Sequence, residues 1–238
     1  MAAVRGAAVK MAVIDSGIHP GHPHLRGVPV QGLAVVPDGD AYRLEPDGRD
    51  VHGHGTAVAA AIARTGVALQ LWGIRVLDRQ LRCDGAALAF AIEQAAARGA
   101  QVINLSLATA RPQSAPRLER AVDRARGCGA WLVAAQRPGQ PGWPGDLPQV
   151  LGAVAVGGCP PGACVPLGPR RFGAHGEARP PGGRPAPGNL AGHSLAAAHL
   201  SALVAAVLAQ AAPATLDGLA DRLTRRFGVD LPERGEEG

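Results

Sequence analysis

The sequence predicts an α/β domain, a mostly parallel central sheet flanked by helices. Short apolar runs of strand length alternate with Ala-rich stretches of helical period, the pattern of successive βαβ units. Two Gly-rich turns lead straight into small-residue helices, at Gly53-His54-Gly55 and Gly192-His193-Ser194. A chain of 238 residues, 47% hydrophobic and 18% charged, can build one sizeable core without a second domain. No internal repeat or linker divides it, so residues 1–238 read as a single domain with its core over about 9–210 and a helix and tail after that.

In order, Ala8–Ile14 is an apolar run ending at Asp15-Ser16-Gly17, a buried strand with an acidic residue at its C-terminal end. In open α/β sheets, sites assemble at that end. His19, His22 and His24 follow among prolines and glycines, in a loop whose spacing suits no helix-borne zinc pair and has no cysteine near. Residues 37–50 are polar and turn-rich and read as a surface excursion. The stretch His54–Ala63 is an Ala-rich helix, Leu69–Leu77 a strand and Asp84–Arg98 an amphipathic helix stopped at Gly99. Val102–Leu107 is a strand, Pro116–Arg126 a helix, and Trp131–Ala135 and Gln149–Val156 further strands. From Gly157 to Gly192 proline and glycine leave room only for loops and short strands. The helix carrying Ser194 and a weaker one over Leu216–Phe227 close the chain.

Composition excludes several functions. The net charge of +5 is carried by arginine, Lys10 being the sole lysine, without the interleaved aromatics of a nucleic-acid stacking platform. No apolar run reaches the ~18 residues of a membrane span, and the first residues lack the apolar core of an export signal. Cys83, Cys128, Cys159 and Cys164 are too scattered for a disulfide framework; Cys159 and Cys164 could pair across a loop, but free thiols and a cytoplasmic location are the expectation.

Three residues carry chemistry. Asp15 stands at a strand end, His54 starts a helix, and Ser194 starts a late one. A histidine titrates near neutral pH and suits general-base work. A serine in the first turn of a helix has a free backbone N–H and the positive end of the dipole beside it, which favours a developing oxyanion. Each alone also reads as a turn or helix cap. Together, in the order Asp, His, Ser, they form the triad order of subtilisin.

The blocks Val13-Ile14-Asp15-Ser16-Gly17-Ile18, His54-Gly55-Thr56-Ala57-Val58-Ala59 and Gly192-His193-Ser194-Leu195-Ala196-Ala197 resemble the three signature blocks of the subtilase (subtilisin-like) serine proteases. His22-Pro23-His24-Leu25, Ile74-Arg75-Val76-Leu77 and Val102-Ile103-Asn104-Leu105-Ser106-Leu107 resemble family text between them, so the likeness covers roughly residues 9–210. It implies the three-layer subtilisin-like fold, with Ser194 as nucleophile, His54 as its base and Asp15 orienting the imidazole. It also implies a peptide or protein substrate lying as an added strand beside Ser106, Leu107 and Ala108. No cofactor is implied. Calcium occurs in the family, but Asp38, Asp40 and Asp47 make no clear site.

Three departures stand out. Ala108-Thr109 replaces the family's Gly-Gly and should narrow the groove. His193 replaces the threonine before the serine. Arg137 falls where the family's oxyanion asparagine should be, within Val133-Ala134-Ala135-Gln136-Arg137, so Arg137 or Gln136 would have to donate in its place. The first core strand lies close to the start of this sequence, so no inhibitory pro-domain is expected. A cytoplasmic endopeptidase of narrow specificity, such as one maturing a precursor peptide, is the expected function. The alternative is an impaired pseudoprotease that binds peptides.

Overall fold

The structure is a computed structural model that describes residues 7–180 and 190–231. Residues 1–6, the 181–189 part of the loop expected between Gly157 and Gly192, and the tail from 232 lie outside the described residues.

The described strands are Val9–Asp15 (β1), Val30–Asp38 (β2), Ala41–Glu45 (β3), Leu69–Arg75 (β4), Val102–Leu105 (β5), Trp131–Ala135 (β6), Leu151–Ala155 (β7), Cys164–Pro166 (β8) and Arg171–Ala174 (β9). They form one sheet in the order β3-β2-β4-β1-β5-β6-β7-β9-β8. Pairing is parallel throughout the middle and antiparallel only at the edges, β2 with β3 and β8 with β9. The helices are His54–Ile62 (α1), Gly85–Ala97 (α2), Ala115–Gly127 (α3), His193–Leu208 (α4) and Leu216–Phe227 (α5).

Strand alternation divides the core into two layers. On β1, Met11 and Val13 join Val58 and Ile62 of α1 and Leu200 and Val204 of α4 on one face. Ala12 and Ile14 join Leu88 and Ile92 of α2 and Leu118 and Val122 of α3 on the other. The helices α1, α4 and α5 therefore cover one face, and α2 and α3 the other. Helix α4 is buried on nearly every side, and its alanines let it lie close against the middle of the sheet. That burial leaves no polar stripe, which is why the segment reads as uniformly apolar.

One expectation is corrected. Residues 37–50, expected as a surface excursion, include the end of β2 and all of β3, a hairpin pairing Ala34–Asp38 with Ala41–Glu45. Pro37-Asp38-Gly39-Asp40 marks the hairpin turn, with Gly39 at φ +59°, and β2 is held from its other side by β4. The ladder with β4 is a long-range interaction that local composition does not reveal.

Candidate active site

Alternation along β1 puts Asp15 on the face of Met11 and Val13, the face covered by α1 and α4. It is fully buried there, and its Oδ1 accepts the Ser16 N–H at 2.7 Å. His54 begins α1 directly above it, with Nδ1 at 2.8 Å and 2.9 Å from the two carboxylate oxygens. A carboxylate only accepts, so Nδ1 carries the hydrogen and the neutral ring leaves Nε2 free to accept.

Asp50 is the residue that sequence reasoning missed. Gly53 precedes α1 at φ +96° and has no side chain to cap the helix. The Asp50 carboxylate does that work, accepting the N–H groups of His52 (3.0 Å), Gly53 (2.7 Å) and Thr56 (2.9 Å) and the hydroxyls of Ser16 and Thr56. Thr56 Oγ1 in turn accepts the His19 N–H at 2.9 Å, tying the histidine loop to α1. The available signal was an acidic residue just before a Gly-initiated helix, a displaced cap. Burial pushes the Asp50 carboxyl up, but these hydrogen bonds together outweigh it and hold the group below its usual range. Burial pulls the His54 imidazole down, but the Asp15 hydrogen bond and the charges of Asp15 and Asp50 outweigh it, raising its pKa. Asp50→Asn removes one of those charges and is expected to move the acid limb of kcat/KM to lower pH.

Helix α1 approaches β1 so closely that a Cβ on Gly55 would lie 2.1 Å from the Gly17 carbonyl oxygen and 3.2 Å from Asp15 Oδ1. Gly55→Ala is expected to cost about 1–3 kcal/mol by overpacking and to part His54 from Asp15. Denaturant unfolding and hydrolysis of a peptide would register the two effects separately.

Ser194 is the second residue of α4, after Gly192 at φ +127°. Its position in the first helical turn leaves its N–H without an intrahelical partner. Its hydroxyl donates to the Ser106 carbonyl at 2.8 Å, and no hydrogen bond joins it to His54. The Ser106 hydroxyl shares its proton between the Ser194 carbonyl (2.7 Å) and Asn104 Oδ1 (2.9 Å). Asn104 Nδ2 donates to Ser201 Oγ at 2.9 Å, so a buried polar chain runs from β5 into α4 and sets the height of Ser194. His54 and Ser194 line one cleft of about 330 Å³, with Ser106, Leu107, Ala108 and Arg137 on its walls.

The departures fall into place unequally. Thr109 exchanges backbone hydrogen bonds with Trp143 at 2.9 Å in each direction, so the segment carrying Ala108 is tied to the loop after β6. His193 Nδ1 accepts the Ala155 N–H at 2.9 Å. Burial and the Arg137 charge both lower the His193 pKa, which keeps this ring neutral. Arg137 is exposed at the cleft wall. Gln136, expected as an alternative oxyanion donor, is corrected: its amide donates to the Gly145 carbonyl and Asp146 Oδ1 and accepts from Arg171 Nε, so no donor remains. It braces β6 against the following loop instead.

All four cysteines are free; burial raises the Cys159 thiol and pushes Cys164 up to about 12. The acidic residues weighed for calcium do not fit it. Asp38 and Asp40 are exposed, Asp47 is taken by Arg49 and Arg75, and no three His, Cys, Asp or Glu converge among the described residues. No helix among those residues is long and apolar enough to cross a membrane.

A parallel sheet carrying a His–Asp pair at one strand end, with a helix-borne serine in the same cleft, defines a subtilisin-like α/β fold. The subtilase family profile matches residues 6–163, and the chain belongs to that family. That span includes Asp15 and His54, whereas Ser194 lies beyond it. Subtilisin DY of Bacillus licheniformis is 36% identical over 136 residues, covering 55% of this chain and 47% of its own. Subtilisin Savinase of Lederbergia lenta is 35% identical over 163 residues, covering 64% and 56%. The chain thus spans about half the length of the curated relatives it matches. Among solved structures, the S41 psychrophilic protease aligns with a TM-score of 0.72 at 26% identity, covering 92% of this chain and 84% of its own. The prenylagaramide maturation protease PagA aligns at 0.63 and 25%, covering 87% and 78%. A point mutant of the protease domain of PatA aligns at 0.66 and 25%, covering 92% and 94%.

Proposed function

We propose that this protein is a serine endopeptidase of narrow specificity working through Asp15, His54 and Ser194. The observation that carries the reading is the buried His54–Asp15 pair facing the same cleft as Ser194. The Ser194 hydroxyl turns from the Ser106 carbonyl to His54 Nε2, gives up its proton there and attacks the substrate carbonyl carbon. His54 then passes that proton to the leaving amine, and water repeats the sequence on the acyl-enzyme. Asp15 holds the tautomer and stabilises the imidazolium. The Ser194 N–H is the rigid oxyanion donor, and Arg137 stands where a second would act.

A substrate strand beside Ser106, Leu107 and Ala108 would claim the Ser106 carbonyl and release the serine, since these residues extend β5 past its ladder. The bond from Thr109 to Trp143 supports a confined groove. Likeness to a maturation protease supports a precursor peptide as substrate. Free cysteines support a reducing, cytoplasmic setting. One sheet with a core on each face supports a single domain. A second reading, a peptide-binding pseudoprotease, is favoured by the Ser194 hydroxyl resting on Ser106 and away from His54.

Labelling with a fluorophosphonate probe, read by intact mass, separates the two. Adduct formation that disappears in both Ser194→Ala and His54→Ala is expected. A folded protein that stays unlabelled would retire the protease reading.

A further inference from the structure

The residues lining the catalytic cleft differ in chemistry along the sheet order β4-β1-β5-β6. Leu77 and Leu81, which follow β4, and Leu107, which follows β5, are apolar. Leu81 is 37% exposed and is held at φ +57°, a backbone conformation leucine rarely adopts. Asp78 enforces it: its Oδ1 accepts the N–H groups of Gln80 (2.8 Å) and Arg82 (2.9 Å), while its carbonyl accepts the Leu81 N–H at 3.0 Å. Arg137 follows β6, beyond β5 in that order, and its guanidinium makes no hydrogen bond or ion pair among the described residues. Among the described residues, none lining the cleft is acidic. The carboxylate following in the chain, Asp146, is taken by Gln136 Nε2 and the Gly142 N–H. Asp15 lies buried behind His54.

A guanidinium kept beside a nucleophile without an internal counter-ion is a receptor for an external carboxylate, which it can grip by two parallel hydrogen bonds. His193 adds no competing positive charge, because its Nδ1 accepts from the Ala155 N–H and burial and the Arg137 charge lower its pKa.

We infer that the cleft selects acidic peptides, with Arg137 binding an aspartate or glutamate side chain close to the cleaved bond and Leu81, on the β4 side of the cleft, taking an apolar one. The inference rests on the protease reading for its cleavage consequences, but the charge preference also holds for binding alone.

The test is a positional library of internally quenched peptides, cleaved by the wild-type chain and by Arg137→Gln and Arg137→Glu. Acidic residues at a position flanking the cleaved bond are expected to raise kcat/KM about three- to tenfold over their amides, less at high salt. Arg137→Gln levels the two, and Arg137→Glu turns the preference to lysine. A flat wild-type profile, an acidic preference surviving in Arg137→Glu, or an equal loss on every peptide in Arg137→Gln overturns the inference. The last result would leave Arg137 as an oxyanion donor only. If the library stays uncut and the fluorophosphonate fails to label Ser194, the protease reading has failed by itself. Binding by Ser194→Ala to peptides differing only in a central Asp, Asn or Lys then decides the charge preference: equal affinities reject it, and tighter binding of the Asp peptide upholds it.

Discussion

Asp15→Asn is expected to lower kcat/KM about 10⁴-fold, the scale of the same change in another serine protease triad. The buried carboxylate accepts both from His54 Nδ1 and from the Ser16 N–H. An asparagine has one oxygen for these two donors, and its amide nitrogen, if turned toward His54, can only donate. The ring would then present an unprotonated Nδ1 to Asp15 and a protonated Nε2 to Ser194, leaving the serine without a base. The same change moves His54 in pH. With the Asp15 bond and charge gone, burial remains as the main influence and the imidazole falls. The acid limb of the residual activity should therefore shift down while the plateau collapses, a pairing that simple unfolding does not produce. The sign also holds for stability. His54 has a raised folded pKa, so its contribution is present below the unfolded value of about 6.5 and fades as pH rises through the folded value. Thermal unfolding of wild type and Asp15→Asn on both sides of that window would measure it.

Arg137→Asn is expected to raise turnover of a neutral peptide or ester by up to about 10², while erasing any preference for acidic peptides. One side-chain donor in an oxyanion site contributes about 10²–10³ in turnover, a value measured on a subtilisin. Arg137 is exposed and has a long, rotatable stem, whereas a short amide at the same backbone position has far less freedom to lose. The neighbouring Gln136 cannot compensate, because it is bonded on all sides. Steady-state kinetics on one neutral and one acidic peptide would separate the two consequences. A parallel fall on both would mean that the guanidinium already serves as the donor.

Much of the framework was legible because it obeys local rules. Asp15 at a strand end, His54 after a left-handed glycine and Ser194 in the first turn of an alanine-rich helix all follow from short-range pattern. The β2–β3 hairpin was not legible, because its place depends on β4, distant in sequence. Asp50 was hidden for a related reason: as a residue in a polar loop it looks like solvated surface, and only the fold closes the Ser16, Gly53 and Thr56 donors around it. Gln136 and Arg137 were indistinguishable as adjacent polar residues. The alternation of β6 and the close approach of Gly145 and Asp146 turn the first inward to a bracing role and leave the second in the cleft.

Periodicity and turn chemistry are properties of neighbouring residues, so the chain read alone yields the alternation of strands and helices outside the β2–β3 hairpin and points to Asp15, His54 and Ser194 as the candidate reactive groups. Tertiary structure alone decided which donors meet which acceptors. It paired His54 with Asp15, rested the Ser194 hydroxyl on Ser106 and gave Arg137 no counter-ion among the described residues. Hydrogen bonds and ion pairs depend on ångström-scale distances between segments far apart in the chain, and only packing sets those distances.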